Sequence, residues 1–302
     1  AILNSIEYPI PRTHYLHVKK FALGFAQNGY TVIEVNKIED IVLLSADSLV
    51  YISSHYYVEK IRRSFRSFLH KKLLKYLSAS KVIPVLWSFH DVPSIQEYVI
   101  NRPHIYLTEN YSEYCELIYE KLAFYNDKNC HKLVYSSYQD DRINYSDLPW
   151  EIDIKFSFNY VGSVYKREIL NAIKNSANYK SQILLYPPVQ SEIKRINSFS
   201  SSSINLVFHS DANIEKGIIT ERFPEALAMG NFIVHDHPQI SVNYGSNGIV
   251  YHNRVDDIYD LIDGLKLEDV LESSERNYIL WQNSKMSYRK QAMEIIKIVK
   301  HG

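Results

Sequence analysis

Short runs of β-branched and aliphatic residues alternate along the chain with stretches whose apolar positions recur every three or four residues. That alternation predicts parallel strands joined by crossover helices. Residues 1–6 read as a buried strand, a proline-containing loop covers 8–13, and Val18, Phe21, Ala22 and Phe25 recur at helical spacing. Asn28 and Gly29 end that helix. Further strands are expected at 31–35, 48–53, 81–89, 104–108 and 132–136. A polar stretch at 140–153, with Pro149 near its middle, reads as a linker. A second series then starts, with strands at 158–161, 182–186, 205–209, 232–235 and 249–251 and helices at 167–175, 221–229 and 255–265. Residues 275–300 read as helical and amphipathic.

The expected fold class is therefore α/β, with two doubly wound, Rossmann-like domains at 1–150 and 151–285 facing a central cleft. A closing helix at 286–302 is expected to pack back on the first domain. Sheets of this kind bind ligands at the carboxyl ends of their strands, which directs the search for function there.

Composition narrows the chemistry. The 302 residues include 34 basic and 34 acidic ones, so no net field gathers a polyanion, and an anion must be held by a local pocket. The expectation is accordingly no nucleic acid among the partners. Two cysteines, Cys115 and Cys130, lack Cys-x-x-Cys spacing, which suits a reducing cytoplasm and speaks against structural zinc. No apolar run reaches the roughly 20 residues that span a bilayer, and residues 1–11 lack a basic start followed by an apolar core. A cytoplasmic place is expected, and peripheral association with the inner membrane face or with a partner subunit stays open.

Only 9 glycines occur, against an average usage of about 7%. None forms Gly-x-Gly-x-x-Gly or a phosphate loop, which disfavours dinucleotide oxidoreductases and P-loop enzymes. His235-Asp236-His237 places two histidines on one face of a strand. With no third ligand committed to that face, the segment reads as a strand end entering a loop at Pro238, and no metal is expected.

Two segments carry the chemistry. In Tyr160-Val-Gly-Ser-Val-Tyr-Lys-Arg167, a strand ends at Gly162 and Ser163, where a missing side chain lets backbone amides approach an anion, and Lys166 and Arg167 follow at a helix start. A basic pair beside an ordinary tight turn is the alternative. In Ile218-Ile-Thr-Glu-Arg-Phe-Pro-Glu-Ala-Leu-Ala-Met-Gly230, Pro224 is tolerable only in the first turn of a helix, which sets the helix start near Thr220 or Glu221. Arg222 can clamp phosphate oxygens in a bidentate manner. Glu221 or Glu225 can accept hydrogen bonds from a ribose or sugar diol, and Phe223 joins Thr220 to Glu225 in the candidate donor site. An acid that merely complements the helix dipole is the competing reading.

The run Thr-Glu-Arg-Phe-Pro-Glu-Ala-Leu-Ala-Met-Gly-Asn-Phe-Ile-Val-His-Asp at 220–236 resembles the donor-site signature of bacterial GT-B glycosyltransferases related to spore-maturation proteins, the CgeB-like group. Val-Gly-Ser at 161–163 and Met-Ser-Tyr-Arg-Lys-Gln-Ala at 286–292 are similar to the same group. The resemblance implies a GT-B fold and a Leloir-type transferase, hexosyl or related, whose donor is a nucleoside-diphosphate sugar. It further implies that no cofactor or divalent metal is required, and that the acceptor is a glycan, lipid-linked or protein molecule, as in polysaccharide biosynthesis. Gly162 and Ser163 would lie by the phosphates, Arg222 would neutralise them, and Glu225 would contact the ribose or sugar. Where many retaining relatives carry a second glutamate, this chain has Gly217. Thr220-Glu221-Arg222 also resembles the Thr-Glu-Lys of inverting fucosyltransferases, so the stereochemical outcome stays undecided.

An inverting transfer needs a base at a strand end of the first domain. His14, His90 and Asp91 are the catalytic candidates: His14 follows the first strand, and His90-Asp91 follows the apolar strand at 81–89. Glu7 also sits in a suitable loop, and Tyr56 and Tyr57 offer flat faces for a sugar. A nucleotide-sugar epimerase and a non-catalytic nucleotide-sugar-binding subunit are the alternative functions.

Overall fold

The computed structural model describes residues 2–3, 22–35, 49–53, 83–88, 105–108, 130–132, 157–162, 167–175, 180–185, 199, 202–215, 217, 219–246, 248–284 and 286–301. The chain divides into two compact units, one of Ala1–Val134 with Tyr288–Gly302 and the other of Tyr135–Ser287.

The first unit holds a six-stranded sheet of β1 (Ile2–Leu3), β2 (Glu34–Val35), β3 (Leu49–Ser53), β4 (Ile83–Ser88), β5 (Ile105–Thr108) and β6 (Cys130–Lys132). The order is β2-β1-β3-β4-β5-β6, and every pairing is parallel. The last helix, Tyr288–His301, belongs to this unit. It packs on the helical residues 22–27 at Gly24, where a Cβ would stand 2.5 Å from the Tyr288 carbonyl oxygen. Glycine there lets two helix backbones meet. Asn28 fastens the contact, its Nδ2 donating to the carbonyls of Gly24 at 2.8 Å and Arg289 at 2.9 Å.

The second unit is built on β7 (Ser157–Gly162), β8 (Lys180–Leu185), β9 (Ile204–Val207), β10 (Phe232–His235) and β11 (Ile249–Tyr251), in the order β11-β10-β9-β7-β8 and all parallel. The chain leaves β7 for β8 in one direction and returns past β7 to β9, so the winding reverses between β7 and β9. In open α/β sheets that reversal opens a crevice at the carboxyl ends of the two strands.

Strand alternation sorts the residues by face. Phe158, Tyr160, Ile204, Leu206, Phe208, Phe232 and Val234 form an aromatic-rich core with Ile169, Leu170 and Ile173 of helix Arg167–Asn175, Ile258 of Val255–Gly264 and Val270 of Leu267–Asn283. The alternate positions Asn159, Asn205, Val207, Ile233 and His235 are buried too, as expected where helices cover both faces of a parallel sheet. One such pair is polar: Asn159 and Asn205, register partners on β7 and β9, are joined by an Nδ2 to Oδ1 bond of 2.8 Å. At the opposite ends of the strands, Asn277 donates from Nδ2 to the carbonyls of Asn231 at 2.7 Å and Gly248 at 3.0 Å, tying together the turns that lead into β10 and β11.

Two local features depart from the sequence reading. The helical stretch expected at 275–300, with its closing helix at 286–302, is found as two helices, Leu267–Asn283 and Tyr288–His301. Ser284 breaks it: its hydroxyl donates to the Trp281 carbonyl at 2.7 Å and accepts from the Met286 amide at 3.1 Å, a local alternative to the helical ladder. Pro238, read as a loop residue, instead opens helix Pro238–Tyr244, with His237 as its N-cap accepting from the Gln239 amide. No helix among the described residues is long and apolar enough to cross a membrane.

Candidate functional site

The short helix Arg222–Ala228 packs over β9 and β10 and against helix Leu267–Asn283. Its start follows from Pro224, which lacks an amide hydrogen and sits in the first turn, where none is needed. The Thr220 carbonyl accepts from the Phe223 amide at 3.1 Å, and the Glu221 carbonyl from the Glu225 amide at 3.0 Å. Glu221 is the N-cap residue. Phe223, Ala226 and Leu227 are fully buried, so the helix is held by its apolar residues and delivers Arg222 to the end of the sheet.

Arg222 is half-buried at the carboxyl edge between β7 and β9. One guanidinium nitrogen donates to the Tyr160 hydroxyl at 3.2 Å, and another donates to the Phe208 carbonyl at 2.5 Å. Its carbon lies 5.3 Å from the centre of the Tyr160 ring, within cation–π reach. Gly162, the last residue of β7, has φ +149°, and the place where a Cβ would stand is taken by the Arg222 guanidinium. The missing side chain at 162 thus makes room for a cation. The strand ending, the glycine and the arginine are parts of one arrangement, although 60 residues separate them in sequence.

Replacing Gly162 by Ala is expected to push the guanidinium out of this place. The neighbour is the far end of a flexible side chain and can move, while a side chain at this φ costs about 1–3 kcal/mol. The variant should fold with reduced stability, read as a lower melting temperature. An unchanged melting temperature would mean that the guanidinium does not need the space at 162.

Beneath Arg222 lies a second arrangement that the sequence reading did not find. His209, two residues past the end of β9, is 1% exposed, and Asp236, directly after β10, is 2% exposed. Both Asp236 carboxylate oxygens accept from the His209 amide, at 3.0 and 3.1 Å, and Oδ1 also meets His209 Nδ1 at 2.9 Å. On its other side, His209 Nε2 accepts from the Thr220 amide at 3.3 Å. A carboxylate at Nδ1 and an amide hydrogen at Nε2 together fix the neutral Nδ1–H tautomer.

The Thr220 hydroxyl lies 3.4 Å from the same Nε2, which gives the carboxylate–imidazole–hydroxyl order of a nucleophilic triad. The electrostatics argue for a clamp instead. Burial lowers the His209 pKa to about 4 despite the opposing bond to Asp236, with the Arg222 charge adding to the fall, and so weak a base does little at neutral pH. His235 is likewise lowered to about 4, first by burial and then by the charge of His209, and burial lowers His237 as well. The rings of His209 and His237 meet edge to face at 4.8 Å. The three histidines are neutral structural groups, and no group of three His, Cys, Asp or Glu among the described residues has a metal-binding arrangement.

The other sequence candidates fall in different places. Thr220, Glu221 and Arg222 are half-buried at the start of the helix beside Gly162. Phe223 is instead a packing residue, 0% exposed, with its ring 5.2 Å from that of Tyr244. It lies in the interior with the whole run Phe223–Ala228, all of which is buried. Glu225 is 6% exposed in the first turn, and Arg167 opens helix Arg167–Asn175. Ser163, Lys166, His14, His90, Asp91, Glu7, Tyr56, Tyr57 and Cys115 lie outside the described residues. Gly217 has φ +64° and sits tightly against the Gln239 side chain, a Cβ there being 2.7 Å from its amide nitrogen. A glutamate would not fit that place without a shift of Gln239.

No family model matches the chain, and no curated protein matches it in sequence. Among solved structures, it resembles an α-glucosyltransferase determined in complex with UDP and a 13-mer DNA containing a HMU base. The TM-score is 0.63 at 11% identity, over 99% of this chain and 98% of that one. AviGT4, a glycosyltransferase involved in Avilamycin A biosynthesis, is a more distant likeness, with a TM-score of 0.48 at 10% identity over 99% and 96% of the two chains. The first comparison defines the class of the fold, the mixed α/β, parallel-sheet fold of the GT-B glycosyltransferases. A protein of this fold is seen with DNA, and net charge averages over the local phosphate contacts that decide such binding.

Proposed function

We propose that the chain is a glycosyltransferase that takes a sugar from a nucleoside-diphosphate sugar, with the diphosphate received at Arg222. The observation that carries this reading is the half-buried guanidinium at the carboxyl edge between β7 and β9, over a residue without a side chain. That is the crevice where a doubly wound sheet binds its ligand. UDP is the nucleotide in the structure that resembles this chain, which supports a nucleoside diphosphate as the leaving group.

In the transfer, the bond from the anomeric carbon to the diphosphate oxygen breaks and its electron pair stays with the diphosphate. A bond forms from the acceptor hydroxyl oxygen to the same carbon, and the hydroxyl proton passes to a base or to the departing phosphate. Negative charge therefore grows on the diphosphate. A guanidinium already held by Tyr160 and the Phe208 carbonyl meets that charge with little reorganisation, which is how electrostatic catalysis lowers a barrier. Since Arg222 supplies the positive charge, this reading takes no divalent cation. Thr220 and Glu221 border the same edge and are assigned to the donor. Glu225 keeps its proposed role toward the ribose or sugar only through its few exposed atoms. The acceptor hydroxyl belongs to a glycan, a lipid-linked sugar, a protein or a nucleic acid. The finer likeness to the spore-maturation-related group rests on the motif at 220–236 and favours surface-glycan synthesis in the cytoplasm.

The test is a panel of uridine, guanosine, adenosine, cytidine and thymidine diphosphates, followed by the sugar nucleotides of whichever base binds. One diphosphate should raise the melting temperature, since saturation at 100 times Kd adds about 2.7 kcal/mol to stability. The matching sugar nucleotide should then be consumed with release of that diphosphate. Failure of every diphosphate to bind contradicts the proposal.

A further inference from the structure

We infer that His209 is a positioning residue for the donor site: clamped by Asp236, its Nε2 holds the Thr220 backbone, and through it the start of the helix that presents Arg222. The inference rests on the reading of Arg222 as the diphosphate ligand and adds residues that no motif supplied.

The connections run as one chain of contacts from a buried pair to the half-buried helix start. Asp236, directly after β10, receives both the amide and the ring Nδ1 of His209, two residues past β9. The ring spans from that carboxylate to the Thr220 amide. Thr220 in turn accepts from Phe223 within the first turn, and Arg222 lies between them in the chain. Arg222 also donates to the carbonyl of Phe208, the residue before His209. The segment 208–209 therefore grips the Arg222 turn twice, once through a main-chain oxygen and once through an imidazole nitrogen. A helix of seven residues, Arg222–Ala228, has few internal hydrogen bonds to fix its own first turn. The rigid attachment comes from the sheet. Preorganisation of a charged ligand group by such supports is what converts its charge into binding energy.

The two ring nitrogens do different work, and two substitutions separate them. His209→Asn keeps a donor near the Nδ1 position for Asp236 and loses the acceptor for Thr220. His209→Gln reaches to the Nε2 position and keeps an acceptor for Thr220. Calorimetric titration of the full chain with the diphosphate selected by the panel should show affinity reduced about tenfold in His209→Asn and within about threefold of the parent in His209→Gln. In an Arg222→Ala background, His209→Asn should change affinity less than about twofold, because its effect passes through the arginine. A general loss of stability would lower affinity in both backgrounds alike.

Full affinity in folded His209→Asn, or an equal loss with and without Arg222, overturns the inference while leaving the diphosphate reading intact. Unchanged binding in Arg222→Ala alone overturns the diphosphate reading and this inference with it. Should His209→Asn not fold, ring 15N shifts of the unmodified protein decide: an Nδ1–H tautomer whose Nε2 shift moves on nucleotide binding supports the role. An Nε2–H tautomer, or no response in the bound state, overturns it.

Discussion

Arg222→Ala should lower the affinity for a nucleoside diphosphate by about 1.5–3 kcal/mol, the loss of hydrogen bonds to a charged group, which is roughly 10- to 150-fold in Kd. The protein should still fold. Truncation leaves the Tyr160 hydroxyl and the Phe208 carbonyl without the donors seen here, so a modest fall in melting temperature accompanies the binding defect, and titrations belong well below the transition. Arg222→Lys is the informative companion. Lysine keeps the charge but not the planar fork that touches Tyr160 and Phe208 and faces phosphate at once. Its affinity should fall between those of the parent and the alanine variant, whereas full recovery by lysine would reduce the role of Arg222 to charge alone.

Acid should destabilise the second unit strongly between about pH 6.5 and pH 4. His209 and His235 both have pKa values lowered from 6.5 to about 4, mainly by burial, and His237 is lowered too. The unfolded chain therefore binds more protons than the folded one throughout that window, and stability rises with pH there. The contribution is fully present above the unfolded value near 6.5 and is lost as pH falls toward 4. A lowering of this size corresponds to about 3 kcal/mol for one group, and mutual repulsion among the rings is already part of it. Several kcal/mol for the cluster is a large fraction of a domain's roughly 5–15 kcal/mol. Urea midpoints at pH 7.5, 6 and 5 should fall steeply, with a shallower slope in a folded His235→Gln variant. A flat profile would mean that the histidines are not buried in neutral form.

The architecture was legible because a parallel α/β fold writes itself into local pattern. Among the described residues, all eleven strands fall within or beside the expected runs, since a strand of a parallel sheet reads as a short apolar run between helical stretches. Pro224 located the start of its helix through a constraint that acts on a single residue. Errors arose where side chains compete with the backbone or where partners are distant. Ser284 separates the two closing helices through its own hydroxyl, and Pro238, read as entering a loop, begins a helix.

Gly162 and Arg222 were each singled out by their motifs, but not that the second occupies the space the first leaves. Phe223 was grouped with the site because its neighbours in sequence are there, although it is buried with the residues that follow it in the helix. His209 gave one signal that was overlooked, a polar residue closing an apolar strand beside a segment ending in aspartate. Its meaning depends on Asp236 and Thr220, 27 and 11 residues away, and only the folded sheet brings the three together.

The central claim is the place of the diphosphate, and the structure of the full chain crystallised with a bound nucleoside diphosphate measures it directly. The account predicts phosphate oxygens within hydrogen-bond distance of the Arg222 guanidinium, over Gly162, at the carboxyl ends of β7 and β9. A nucleotide bound elsewhere, with Arg222 still directed at Tyr160 and the Phe208 carbonyl but no phosphate beside it, would contradict it.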